Sequence, residues 1–320
     1  VGDSVVVGSC SGNFYLLDRH SGELTWSYNI HQDGNQTSFH GDPLLLQNNV
    51  AVVGTDLSCA PEGIGHVYAF DLGSKSVRWK HKYATGIATP VVKSGDAIYF
   101  GGVHDTWFKT NAKTGTSEWE YQATEKNQCA VPRAPVIVRD RLFLIAQDGS
   151  IHVVDTASGK LIKQIKTTAE TGLIEYAGRI LFGAADNFLY YLNPETLDLN
   201  RFMPLHSTPT GRIEIAHDKL FLFMKGSKGE GQIAAIDLKA RRILWSQTSK
   251  REWSSDMPRF WRGAVLAGNC QGKLAAFSAA TGKLIWSEEL TGCLRSIGTS
   301  DDLLYIGAQQ GMLYAIRPVL

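Results

Sequence analysis

Imidazole and carboxylate groups gather most densely near the N-terminus, where His31, His40 and Asp42 share one short segment and His66 and His104 follow. These groups suit zinc or another transition ion, but their spacing matches no compact metal motif, so no metal site is assigned. A second set of charges heads short apolar stretches: Asp42, Arg133, Glu170, Arg212, Asp256, Arg259 and Arg295. Charges of both signs so placed fix an anionic ligand or keep a channel hydrated. The stretch from Arg251 to Arg262 sets Trp253, Phe260 and Trp261 among three arginines, types concentrated at interface hot spots. The same rings would pack equally well between sheets. His40 or His104 acting near an arginine is the nearest approach to acid–base chemistry, and no nucleophile is spaced to pair with a base. No catalytic residue is assigned.

The elements that must position these groups form a repeat. The stretch from Ala264 to Trp286 reads as an apolar strand, a Gly-x-x-x-Gly turn, a second strand, a Thr-Gly turn and a third strand carrying Trp. Aligned on the turn before the last strand, Trp26, Trp79, Trp119, Lys163, Arg201, Trp245 and Trp286 share one position, with gaps of 53, 40, 44, 38, 44 and 41. Five of those seven are Trp, out of eight in the chain, which makes chance register untenable. Ahead of the turns stand Asp18, Asp71, Asn111, Asp155, Asn193 and Asp237, whose side chains suit local turn capping. Short segments beginning near Pro43, Pro90, Pro135, Gly172, Gly211 and Pro258 supply one further strand per repeat, since proline is tolerated at a strand's first residue. A three- or four-stranded meander buries little alone, so copies must stack as radial sheets: an all-β propeller of four-stranded antiparallel blades. The motifs count eight blades, the first lacking its inner strand and the last its outer one; seven is the alternative. One domain over residues 1–320 is expected.

These residues resemble the pyrroloquinoline-quinone-like (PQQ-like) propeller family, whose blades carry Ala-x-Asp-x-x-Thr-Gly-x-x-x-Trp. Tyr68 to Asp71 followed by Trp79, and Ile236-Asp237 followed by Trp245, sit in that frame even where the Thr-Gly is replaced. The resemblance spans essentially the whole chain. It implies that Trp26, Trp79, Trp119, Trp245 and Trp286 are blade anchors docking on the neighbouring blade. It leaves three functions in view: quinone-dependent dehydrogenase, assembly scaffold, and extracytoplasmic ligand sensor. Family dehydrogenases set an adjacent Cys-Cys pair against the quinone and carry a Glu, Asn and Asp set for calcium and base chemistry. This chain has no adjacent cysteines, and that set maps onto no matching positions. The expectation is therefore a non-catalytic scaffold or sensor without cofactor, with a PQQ dehydrogenase or another funnel-site enzyme as the alternative.

Loop length nominates where binding occurs. Residues 31–42, 55–65, 122–133, 225–231 and 246–256 are insertions that all belong to one end of the blades. That end and the central funnel are expected to meet a protein, peptide or small ligand through Asp42, Arg133, Glu170, Arg212, Trp253, Asp256, Arg259 and Trp261. Substitution at Trp253 or Arg259, outside the strand register, is expected to spare the fold. Cys270 with Cys293, in adjacent connections, is the expected disulfide, and Cys59 with Cys129 is a second possible pair; five free thiols is the alternative. With 32 basic and 31 acidic residues and no dense cationic run, the chain lacks the footprint of a nucleic-acid binder. Its apolar runs are of strand length, short of the roughly 20 residues that span a bilayer. The first residue, Val1, with no charged-then-apolar leader after it, suggests a processed or excised segment whose targeting signal would be lost with the rest; an extracytoplasmic location, periplasmic or secreted, is expected on the scaffold and sensor readings.

Overall fold

Middle strands of this chain are apolar along their whole length, and outer strands alternate, which is the pattern of sheets covered on both faces near their centres. Ala97–Gly101 and Ala264–Gly268 are buried at every residue, whereas Ser76–Tyr83 alternates between exposed and half-buried positions. The computed structural model describes residues 2–34, 37–56, 64–87, 89–125, 133–226, 229–253, 258–309 and 311–318, without the side chains of His40 and Asp56.

Two compact units divide the chain, residues 1–166 and 167–320. The first carries four sheets, over residues 4–29, 38–83, 92–122 and 136–165 (sheets 1 to 4). The second carries four more, over residues 174–204, 208–249, 259–289 and 294–316 (sheets 5 to 8). Among the described residues every sheet is an antiparallel meander; six have four strands, and sheets 1 and 8 have three. Helix is confined, among those residues, to one 3-10 turn, Ile30–Asp33. The fold class is thus the eight-bladed β-propeller, and the seven-blade alternative is set aside. Parts of two expected loop insertions are strand instead: Ser38–Leu46 and Arg242–Ser249 extend sheets 2 and 6 into them.

The capping residues close each last hairpin. Asp18 Oδ1 accepts the backbone N–H groups of His20 and Ser21 at 2.9 and 2.8 Å. Asp71, Asn111, Asn193 and Asp237 repeat that pair of bonds, and Asp155 accepts from Ser158. Donation from the Ser21 and Ser74 backbone, and from the Ser158 hydroxyl, holds the Asp18, Asp71 and Asp155 carboxyls below the usual carboxylate range. Four residues past each capping position the backbone is left-handed, at Gly22, Lys75, Gly115, Gly159, Leu197, Arg241 and Gly282, with φ between 52 and 76°. One register shift follows in the last pairing of each of sheets 1 to 7, a repeated bulge that adds twist.

Glycine at that turn position goes with tryptophan on the preceding sheet. Trp79 lies on Gly115, where an added Cβ would come within 2.6 Å of the indole, and its Nε1 donates to Ala112 O at 3.2 Å. Trp119 does the same with Gly159 and Thr156 O, and Trp245 with Gly282 and Ala279 O. Where the turn residue is not glycine, its side chain reaches back instead: Lys75 Nζ donates to Thr25 O at 3.0 Å, and the Arg241 guanidinium lies 5.0 Å from the Phe202 ring centre. Trp26 packs edge-on against Phe70. The buried Trp286 Nε1 finds no hydrogen-bond partner among the described residues.

Candidate functional site

Within each unit, the two ends of the sheets are built differently. At the capping end, adjacent turns are tied in a repeated way: Leu72 N donates to Asn49 O, Ala112 N to Asp96 O, Leu238 N to Asp218 O and Ala279 N to Gly263 O. At the other end, four connections leaving a sheet are tied to that sheet's own central turn: Ile30 N to Gly12 O, Ala123 N to Asp105 O, Leu205 N to Asn187 O and Leu290 N to Gly272 O. The following sheet then ties back, through Val103 N to Gly86 O and Gln309 N to Cys293 O. The long connections are therefore held on an ordered base, as binding loops are.

In the first unit this base includes a buried carboxylate. Asp105, fully buried with φ 57°, accepts from Trp107 Nε1 at 3.1 Å, Thr124 Oγ1 at 2.8 Å and the Gln147 backbone N–H at 3.0 Å. Those donors belong to three chain segments, so one side chain fixes the connection after sheet 3 to a turn of sheet 4. Nearby, His152 is buried, with Nδ1 2.7 Å from the Tyr121 hydroxyl, and burial holds its imidazole below the usual histidine range.

The expected binding residues are scattered. Asp42 is exposed on Ser38–Leu46 and Arg133 is half-buried ahead of sheet 4, both in the first unit. Glu170, half-buried, lies ahead of sheet 5, and Asp256 lies outside the described residues. Arg212 and Arg259 occupy the first strands of sheets 6 and 7, where the structure adds a partner that sequence reasoning missed. Glu214 Oε2 stands 3.8 Å from Arg259 Nη1, and burial pushes its carboxyl up despite Arg259, the Phe260 N–H and Arg212. The strand alternation Arg212-Ile213-Glu214 carried that signal, because the buried Ile213 puts both charges on the opposite face.

Trp253 and Trp261 correct the expectation. Both are more than nine-tenths buried, at 7% and 6% exposure. Trp253 stacks on Phe223 and meets Phe277 edge-on, while Trp261 Nε1 donates to Ser300 O at 2.6 Å. Aromatic rings in a loop-length segment are here recruited by the core between sheets; Trp261 is a core residue, and Trp253 keeps only a small exposed part, which lines a cavity, so its replacement is expected to cost the fold.

Of the histidines considered for metal, His31 Nε2 lies 3.3 Å from Thr37 O, His66 is half-buried beside Tyr68, and His104 is buried. The His40 side chain lies outside the described residues, among which no group of three or more His, Cys, Asp or Glu is placed to hold an ion.

Five segments of the second unit converge on a cavity of about 450 Å³. Phe223, Met224 and Trp253 contribute its apolar lining, and Lys225, Arg251, Glu252, Gln271 and Arg295 its polar lining. A disulfide joins Cys270, which lines the cavity, to Cys293 in the next connection. Cys10 is free and exposed, and the pair Cys59 and Cys129 lies outside the described residues. The described disulfide joins cysteines 23 residues apart, unlike the adjacent pair that the family's dehydrogenases set against their quinone.

The model of the family described as outer membrane protein assembly factor BamB matches residues 1–104, 46–184 and 229–318. This chain belongs to that family. The outer membrane protein assembly factor BamB of Yersinia pestis is 21% identical over 329 aligned positions, covering 98% of this chain and 82% of the relative. Among solved structures, BamB from Moraxella catarrhalis superposes with a TM-score of 0.78 at 17% identity, covering 99% of this chain and 94% of that one. The C-terminal WD40 domain of Sif2 superposes with a TM-score of 0.81 at 11% identity, covering 100% and 93%. At those identities the structural likenesses establish the fold alone. Among the described residues, no helix is long and apolar enough to cross a membrane.

Proposed function

We propose that this chain is a non-catalytic, protein-binding propeller of the outer-membrane-protein assembly kind, acting outside the cytoplasm through the loop end of its sheets. The family match carries the reading, because it is made to proteins named as assembly factors and spans most of the chain. The disulfide agrees with an oxidising compartment. The tryptophan–glycine contacts agree with the family's docking motif, on a single domain of stacked blades. Connections anchored by backbone bonds to turns give a partner an ordered surface without requiring a reactive group. The comparisons lend no support to the sensor and quinoprotein alternatives.

The test is genetic. Cells deleted for this chain should show lowered amounts of outer-membrane β-barrel proteins in quantitative envelope proteomics, restored by the intact gene. Unchanged levels on deletion would refute the assembly reading.

A further inference from the structure

The cavity of the second unit is chemically lopsided. Lys225, Arg251 and Arg295 line it against one carboxylate, Glu252, which lies 3.8 Å from Lys225. Neither guanidinium has an ion-pair partner among the described residues, and neither is buried. Beneath them lie the buried rings of Phe223 and Trp253, stacked at 6.2 Å between ring centres, of which Trp253 keeps a small exposed part. Trp253 Nε1 is a buried donor with no hydrogen-bond partner among the described residues. A native buried donor left without an acceptor is uncommon and points to a group that arrives from outside. About 450 Å³ is also within the range of ligand sites rather than of packing defects.

We propose that this cavity takes a carboxylate-bearing peptide segment of the partner. Arg251 and Arg295 meet the carboxylate, and an adjoining apolar side chain packs on the part of Trp253 left open to the cavity. Guanidinium pairs suit a planar carboxylate, the free indole N–H takes a carbonyl or carboxylate oxygen, and the aromatic floor calls for an apolar group beside the charge. The Cys270–Cys293 disulfide ties the turn that carries Gln271 to the connection that leads to Arg295, so it keeps two lining segments in register. The proposal deepens the protein-binding reading above and rests on it.

The probe is an acetylated, amidated pentapeptide with adjacent phenylalanine and glutamate, compared with its glutamine counterpart. Binding is followed on the full chain through the ¹⁵N–¹H signals of its eight indoles. The glutamate peptide is expected to shift one indole signal saturably, with the glutamine peptide at least tenfold weaker. The double variant Arg251→Gln, Arg295→Gln, both exposed positions, should lose at least tenfold while keeping its melting temperature. No saturable shift, or equal affinity for the two peptides, would overturn the proposal. If the double variant restores outer-membrane protein levels in the deleted cells, the cavity is excluded while the assembly reading stands; if deletion itself changes nothing, the assembly reading has failed.

Discussion

Gly22 and Gly282 occupy the same turn position with nearly the same backbone, φ +75° and +72°, and differ in what a side chain would meet. An added Cβ at Gly22 has nothing within 4 Å; at Gly282 it comes within 2.6 Å of Trp245 Cδ2. Alanine at either site bears the left-handed penalty, about 1–2 kcal/mol. At Gly282 it also forces the indole off its seat, adding about 1–3 kcal/mol for overpacking. Gly282→Ala should therefore cost about 1–3 kcal/mol more than Gly22→Ala. Trp245→Ala alone should cost about 3–5 kcal/mol, since the ring is 8% exposed and its Nε1 donates to Ala279 O. In that background the extra penalty of Gly282→Ala should vanish, leaving a coupling of about 1–3 kcal/mol in a double-mutant cycle. Urea denaturation followed by far-ultraviolet circular dichroism measures the parent and the four variants without relying on the indole that is removed. Equal costs at Gly22 and Gly282, or a Gly282 cost unaffected by Trp245→Ala, would refute the idea that tryptophan and glycine are chosen together.

Trp253→Ala should destabilise by about 3–5 kcal/mol in the same assay, because the ring is core between Phe223 and Phe277; a change below about 1 kcal/mol would return it to the surface. Asp105→Ala should cost about 2–5 kcal/mol, since it strands the Trp107, Thr124 and Gln147 donors, and hydrogen exchange should show the Gln147 amide losing protection. Burial, with Lys82 and Lys80 nearby for His66, holds the His66 and His152 imidazoles below about 6.5. The unfolded chain then takes the proton first, so these groups' contribution is complete above about pH 6.5 and falls as the pH drops through it toward the folded values. Urea midpoints should decline from pH 7.5 to 5.5, and His152→Gln should flatten that decline.

How much could be read in advance follows from what repeats. The turn caps, the left-handed turn position and the sheet count depend on local chemistry copied seven or eight times, so each copy corroborates the rest. Lys75, Leu197 and Arg241 show the limit, because their left-handed backbones carry no glycine signature. Trp253 was misplaced because a ring beside arginines has the same composition whether it is a hot spot or a core plug. Glu214 was overlooked although its strand alternation was visible. Asp105 and the cavity were out of reach, since each depends on segments far apart in sequence meeting at one end of the sheets.

The two ends of the sheets also explain why fold and function part company here. At the capping end one carboxylate or amide, one left-handed residue and one bulge recur with little variation, and that chemistry serves any partner equally. At the loop end, among the described residues, the backbone ties recur but the side chains that reinforce them differ: a buried aspartate does so in the first unit, and a disulfide beside a cation-rimmed cavity in the second. A scaffold whose stability is settled at one end leaves the other free to vary, which is how chains at 11% and 17% identity superpose over nearly their full length while bearing different names. Partner choice in this chain must then be sought in residues that break the repeat, and Arg251, Arg295 and the Trp253 indole N–H, which has no partner among the described residues, break it in one place.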